Sequence, residues 1–256
     1  MKRKLAENFK RVERRIAEAC ERADRSRSSV TLLPVTKSAG LDVIRTLVDM
    51  GITDFAENRM QELTKRAAIV GEWLGRRPRN ASAPTKEPPR WHMIGHLQRN
   101  KVRALMPWID MIHSVDSLRL AEDIDAECAR LNRKMPILLE VNAADEPSKT
   151  GVVVAATTHL AEQISSLDNI DLRGLMAMAP LTDDQGVVRH CFQRMRELFD
   201  EIVTDRLCGP AFKELSLGMS NDFELGIEAG STCVRIGSAL FEGIELVRAP
   251  EPVEQP

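Results

Sequence analysis

Apolar residues recur along the chain in two rhythms. Over 2–24, Leu5, Phe9, Val12, Ile16, Cys20 and Ala23 are spaced by three or four, the stripe of an amphipathic helix. Arg25-Ser26-Arg27-Ser28-Ser29 breaks the stripe. From there short apolar runs alternate with helical patterns. The runs fall at 30–37, 52–58, 90–97, 109–115, 136–143, 171–179, 213–219 and 232–238. Helical spacing returns at 41–50, 59–74, 117–132 and 187–203, and Gly51 is placed to stop the first of these helices. Eight strands alternating with helices predict an α/β fold, a (β/α)8 TIM barrel with an additional N-terminal helix. An open doubly wound sheet is the alternative, but the GxGxxG turn that would follow its first strand is absent. Pro34 removes a ladder donor inside the first strand, so a bulge or a missing hydrogen bond is expected there. The Pro-containing stretch 75–90 reads as an exposed loop. The Pro- and Glu-rich end, 249–256, reads as a disordered tail after a single domain spanning 1–248.

Composition narrows the class. A chain of 256 residues with 43% hydrophobic content can bury one large core. A formal net charge of −2 gives no global pull toward nucleic acid or an anionic membrane. Five cysteines without a CxxC pair, and a charged N-terminus lacking an apolar signal stretch, predict reduced thiols in a cytoplasmic protein. The chain contains no tyrosine, which excludes any mechanism relying on its own tyrosine as acid or base.

Candidate chemistry concentrates where apolar runs end. Lys37 closes the first run, at the C-terminal face where barrel sites lie. A lone lysine there is ordinarily one that snorkels to solvent. Partly desolvated, it becomes a Schiff-base nucleophile. The seventh run breaks into Gly218-Met219-Ser220-Asn221-Asp222, where Ser220 or Asn221 can cap the following helix and Asn221 with Glu224 fits a capping box. The eighth exits through Arg235-Ile236-Gly237-Ser238-Ala239. Gly237 permits close backbone approach, and the N–H groups of Ser238 and Ala239 are expected to face the pocket. Barrels commonly bind phosphate between these two loops. Two ordinary capped turns are the plain alternative. Arg235 shares a strand face with Gly237 and needs an acceptor, whether a pyridine nitrogen, a carboxylate or a salt bridge to a neighbouring strand. A lysine facing a dianion site built from Ser220, Gly237 and Ser238 suits an aldehyde cofactor with a phosphate handle, which points to pyridoxal phosphate. His92 and His96 have i, i+4 spacing, but the apolar neighbours and Gly95 predict a strand, so no metal site is expected.

Ordered segments along the chain carry a family resemblance. They are Val35-Thr36-Lys37, Phe55-Ala56-Glu57-Asn58, the run 91–101 (WHMIGHLQRNK), 113–117 (HSVDS), Glu140-Val141-Asn142, 146–151 (EPSKTG), 173–177 (RGLMA), 215–222 (LSLGMSND) and 234–238 (VRIGS). Together they resemble the pyridoxal-phosphate homeostasis proteins, single-domain barrels similar to the N-terminal domain of alanine racemase. The resemblance implies pyridoxal 5′-phosphate as cofactor, held as an aldimine on Lys37. It places Asn58 near the ring, Arg235 near the pyridine nitrogen, and Ser220, Gly237 and Ser238 at the phosphate. It further implies cofactor buffering or delivery, with apo pyridoxal-phosphate enzymes as recipients, with no efficient catalysis and with no nucleic-acid or membrane partner. Arg59 and Glu242 depart from the family pattern, which usually has tyrosine and glycine there. Racemases of this type add a β-domain that supplies a tyrosine from the partner subunit, so a monomer is expected here. An amino-acid racemase or decarboxylase on the same barrel is the alternative, and an aldolase using Lys37 without cofactor ranks last.

Overall fold

The computed structural model describes residues 1–77, 88–144, 146 and 150–244. Its strands are β1 Thr31–Pro34, β2 Asp54–Glu57, β3 Arg90–Met93, β4 Met111–Val115, β5 Met135–Asn142, β6 Val152–Val153, β7 Ile170–Ala177, β8 Glu214–Ser216 and β9 Cys233–Ile236. Eight of them match the expected runs. The strands are mostly shorter than the runs because the apolar stretches continue into the loops that leave the sheet. The ninth, β6, is two residues long and pairs only with β5, too short for any periodicity to register. The others pair in parallel in the order β1-β9-β8-β7-β5-β4-β3-β2. The two ends of this path meet at a single bridge, Val35 to Ala56, where Thr36 N donates to Ala56 O at 2.9 Å. The result is a nearly closed parallel α/β barrel.

Strand alternation sorts side chains into two layers. On β5, Ile137, Leu139 and Val141 join the main core between sheet and helices, whereas Leu138 packs inside the barrel with Met111 and Met176. A second interior cluster holds Leu33, Val35, Ala56 and Cys233. The helices that cover the sheet are α1 Lys2–Arg22, α2 Leu41–Asp49, α3 Met60–Gly75, α4 Val102–Leu105, α5 Leu118–Arg130, α6 Val154–Ser165, α7 Gln185–Thr204, α8 Phe223–Glu228 and α9 Ser238–Phe241. Helix α1 forms because its apolar stripe is continuous, and it buries Leu5, Val12 and Ile16 completely. Each such side chain contributes about 1.5–3 kcal/mol relative to exposure. Polar contacts orient it against the last two helices. Arg15 pairs with Glu224 at 2.6 Å, Arg11 pairs with Glu242, and Asn8 donates to Leu240 O at 2.9 Å. Glu242 thus has a structural partner on α1.

Pro34 causes no bulge. Strand β1 runs in unbroken register with β9 from Thr31 opposite Cys233 to Pro34 opposite Ile236. Thr31 N and Val35 N donate to β9 and its flank, so the intervening even-numbered nitrogens point toward β2. The two strands first bridge at Val35, one residue beyond the proline. The missing donor therefore falls where no ladder exists. The expected loop is shorter than 75–90, since α3 reaches Gly75 and β3 starts at Arg90. Residues 78–87 and the expected tail 249–256 lie outside the described residues. No helix among the described residues is long and apolar enough to cross a membrane.

Candidate functional site

The seam between β1 and β2 places the first two candidates. Leu33 and Val35 line the barrel interior, and Lys37 is the next residue of that alternate row, just past the strand end. On the other side Ala56 is interior, and Asn58 follows it in the same way. Lys37 is exposed and Asn58 half-buried. The partial desolvation expected of Lys37 is not supplied by the protein alone.

A buried brace clamps this seam from behind. Glu57 Oε1 accepts from Thr36 Oγ1 and from Arg66 Nη1 at 2.6 Å, while the same Arg66 nitrogen donates to Thr36 O. Glu57 is fully buried and its Oε2 has no hydrogen-bond partner among the described residues. Burial raises its pKa, with Arg66 and Thr36 opposing. Thr36 precedes Lys37 and Glu57 precedes Asn58, so the brace fixes the spacing of the two mouth residues. Gly95 completes the wall. A Cβ there would fall 2.1 Å from Asn58 O, so only glycine admits this approach, and Ser114 Oγ donates to Gly95 O at 2.6 Å from the next strand.

The loops after β8 and β9 meet as expected, through different atoms. Ser220 Oγ accepts from Gly237 N at 3.3 Å and from Ala239 N at 3.2 Å. Gly237 N thus takes the place foreseen for Ser238 N. Neither Ser220 nor Asn221 caps α8. Its N-cap is Asp222, whose carboxylate instead accepts from Met219 N at 2.5 Å. A Cβ on Gly237 would meet Val35 O at 3.3 Å, so the glycine allows tight packing onto β1 beside Lys37. Ser238 is exposed and its hydroxyl makes no hydrogen bond among the described residues.

Arg235 lies inside the barrel, 3% exposed. Its Nη1 donates to Ser216 O at 2.8 Å and Ser216 Oγ at 2.6 Å, and its Nη2 to Ala177 O at 2.9 Å. The neighbouring strands therefore supply neutral acceptors and not the salt bridge considered above. Burial lowers the Arg235 pKa, and Cys233, Asp222 and Glu140 oppose this only through space. A buried guanidinium with no ion pair among the described residues is costly unless an anion approaches. Two amides converging on one hydroxyl, with this cation below and an exposed lysine alongside, fit a ligand carrying both a phosphate and an aldehyde.

Sequence reasoning missed several polar groups. Glu140 on β5 is buried, accepts from Thr150 Oγ1 at 2.7 Å, and has a pKa raised by burial. His96 Nδ1 lies 3.2 Å from Asp116 Oδ2 at the mouth. His92 and His96 do not converge. His92 sits within β3, its Nε2 3.1 Å from Asp54 and its Nδ1 2.9 Å from His113 Nε2. Alternation inside β3 and β4 was the available signal for that pair. Of the 146–151 run, residues 147–149 lie outside the described residues.

Comparison with known proteins agrees with this geometry. The family profile described as alanine racemase, N-terminal domain, matches residues 5–244. A pyridoxal phosphate homeostasis protein of Aquifex aeolicus is 37% identical over 235 residues, covering 92% of this chain and 96% of its own. The structure of PipY from Synechococcus elongatus PCC7942 with PLP bound superposes with a TM-score of 0.73 at 31% identity, covering 88% of this chain and 99% of that one. Alanine racemase of Clostridium difficile 630 shares the fold at a TM-score of 0.68 and 14% identity, with 97% of this chain matched to 57% of the enzyme. The chain therefore belongs to the pyridoxal phosphate homeostasis protein family.

Proposed function

We propose that the protein binds pyridoxal 5′-phosphate at the C-terminal mouth of the barrel and serves intracellular homeostasis of that cofactor by buffering or delivering it. One observation carries the reading. Ser220, Gly237 and Ala239 converge above a buried Arg235 that has no ion pair among the described residues, with Lys37 on the adjoining strand end. Pyridoxal phosphate, when bound, supplies an aldehyde that condenses reversibly with a lysine amine.

The chain's own residues take the remaining roles. Lys37 provides the amine. Ser220, together with Gly237 and Ser238, would hold the phosphate. The Ser220 hydroxyl now satisfies two amides, and it can turn its proton outward while a phosphate oxygen takes its place. Asn58 borders the ring, backed by Gly95, and Arg235 lies toward the pyridine nitrogen. The exposure of Lys37 suits release as much as retention, since the described residues bury no lid over it.

We read the protein as a carrier and not an efficient catalyst. Racemisation needs a proton delivered to the face opposite the lysine, and the chain has no tyrosine to deliver it. Losing a positioned acid or base removes about 10²–10⁴-fold in rate. His96, 3.2 Å from Asp116, is a proton carrier among the described residues of the loop after β3. The test is to incubate the loaded protein with alanine and other common amino acids, and separately with an apo pyridoxal-phosphate enzyme. Recovery of the apo enzyme's activity without amino-acid turnover is expected. Turnover of about 1 s⁻¹ or faster, the low end for ordinary enzymes, overturns the carrier reading in favour of a racemase or decarboxylase.

A further inference from the structure

Inside the barrel, three titratable groups form a line that the cofactor reading leaves without a role. Asp54 Oδ1 lies 3.1 Å from His92 Nε2, and His92 Nδ1 lies 2.9 Å from His113 Nε2. The line runs from partial exposure to full burial. The His92 and Asp54 side chains are 14% and 17% exposed, and His113 is 1% exposed. At its buried end, His113 Nδ1 has no hydrogen-bond partner among the described residues.

The proton positions follow from the acceptors. Asp54 also accepts from Arg90 at 2.8 Å and from Thr53 at 2.7 Å. Burial alone would raise its pKa, but the bonds from His92, Arg90 and Thr53 outweigh that and hold it well below the usual carboxylate range. Asp54 is therefore an acceptor, and His92 Nε2 carries a proton toward it. With His92 neutral, its Nδ1 is a lone pair, so His113 must donate from Nε2 and present a bare lone pair at Nδ1. With His92 protonated, its Nδ1 donates instead. His113 Nε2 then becomes the acceptor, and the neutral His113 must carry its proton on Nδ1. One proton is taken up. The proton shared between the rings moves to His92, and the added one resides on His113 Nδ1.

We propose that Asp54, His92 and His113 form a tautomer relay that turns protonation of His92 into a donor-for-acceptor exchange at His113 Nδ1, within electrostatic reach of Arg235, and so couples cofactor binding at the mouth to proton uptake in the barrel interior. The coupling rests on the cofactor reading above. The relay itself does not. Burial, then His92 and Arg235, keep the His113 pKa well below its ordinary value, so the second ring transmits the change without taking the charge. The other groups facing His92 are Arg90 on its own strand, Asp54 on β2 and Glu214 on β8, which carries Arg173 as an ion-pair partner at 3.6 Å, while Arg235 on β9 acts on His113. Cys233, its thiol pushed up to about 12 by burial, stays neutral among them.

Two measurements test this. The chain has five histidines, few enough to resolve individually by ¹⁵N–¹H spectroscopy of the labelled protein without cofactor. Between pH 8 and 5, His113 is expected to convert from the Nε2–H to the Nδ1–H tautomer. A single His113 tautomer throughout, or a charge appearing on His113 itself, overturns the relay. In the second arm the near-visible absorbance of protein loaded with pyridoxal phosphate is followed over the same range. His92→Asn is expected to move its inflection by at least about half a pH unit, a modest shift for an added charge in a buried setting. Superimposable wild-type and His92→Asn profiles overturn the coupling. If the tautomer exchange is seen but no cofactor absorbance develops on the wild-type protein, the relay is supported and the cofactor reading fails.

Discussion

The mouth of the barrel and its interior are built on opposite principles. Most interior polar groups are paired within the fold, Glu57 Oε2 and His113 Nδ1 being exceptions among the described residues. Arg235 makes three hydrogen bonds, and Asp54 is held by three donors, with His92 and His113 in sequence behind it. Mouth groups are left short of partners. Lys37 and Ser238 are exposed, and Ser220 occupies two amides with one hydroxyl. Buried donors and acceptors must be satisfied within the fold, because an unpaired one costs about 1–3 kcal/mol. Groups at the mouth can wait for a ligand because water serves them meanwhile. The interior therefore fixes shape and potential, and the mouth does the binding.

The widest separation between the two regions is expected from Lys37→Ala. The side chain is exposed and makes no hydrogen bond among the described residues, so unfolding should be unchanged within about 0.5 kcal/mol, as for surface substitutions elsewhere. The near-visible absorbance of the bound cofactor should disappear altogether. A borohydride-reducible adduct that persists in this variant, and that mass spectrometry maps to another lysine such as Lys149, would move the covalent role away from Lys37.

Arg66→Leu should do the reverse, with the effect on the fold and only a consequence at the mouth. It leaves Glu57 buried without its cation, and breaking a buried pair in this way costs about 3–5 kcal/mol. Glu57, its pKa already raised, can escape the penalty by protonation. Its folded state then binds a proton that the unfolded chain releases, so the variant should lose stability as pH rises from 5 to 8. Denaturant midpoints at both ends of that range check this. A variant as stable as wild type at pH 8 would mean that the seam does not depend on the brace.

Much of the mouth was legible in the sequence because its residues sit where apolar runs end. Lys37, Ser220 and Gly237 each follow a run that breaks into small polar residues, and barrel geometry brings such breaks to one face. The interior was less legible. Thr36, Glu57 and Arg66 come from three elements, and in the chain they are ordinary members of a strand end and a helix. His92 and His113 stand 21 residues apart, and each looks like a lone polar residue in an apolar run. Only knowledge of which strands neighbour each other makes them a pair. The Asp222 cap was hidden by a plausible competitor, since Ser220 has the chemistry of a cap but is drawn across to Gly237. Pro34 was flagged correctly as a missing donor, but its harmlessness follows from where β1 and β2 first touch.

The pair of loops offers an intermediate effect. Ser220→Ala and Ser238→Ala are each expected to remove one hydrogen bond to the phosphate, worth roughly 1.5–3 kcal/mol or about ten- to a hundredfold in affinity. Ser220→Ala also frees the Gly237 and Ala239 amides, which the phosphate can then use directly, so its loss should be the smaller of the two. Equilibrium titration with pyridoxal phosphate gives both numbers. Unchanged affinity in the double variant would place the phosphate elsewhere and leave these loops as ordinary turns.

The smallest effect belongs to the interior and appears only as a slope. His113 is buried in its neutral form, with a folded-state pKa well below the ordinary 6.5 it regains on unfolding. Above that ordinary value neither state binds the proton, and the full stability is present. As pH falls below it, the unfolded chain takes up a proton that the folded barrel refuses, and stability drops by about 1.4 kcal/mol per pH unit for this one group. Asp54 adds its own loss only at much lower pH, since its folded pKa is depressed and its contribution fades below the ordinary 3.8. The two windows do not overlap, so the slope between pH 6.5 and 4.5 isolates the histidine from that carboxylate. His113→Gln should be less stable at pH 8, where it forfeits the bond to His92, and should show a flatter decline toward pH 4.5. If the variant and the wild type lose stability in parallel over that interval, His113 takes up its proton while folded, and the interior is more open to water than its burial implies.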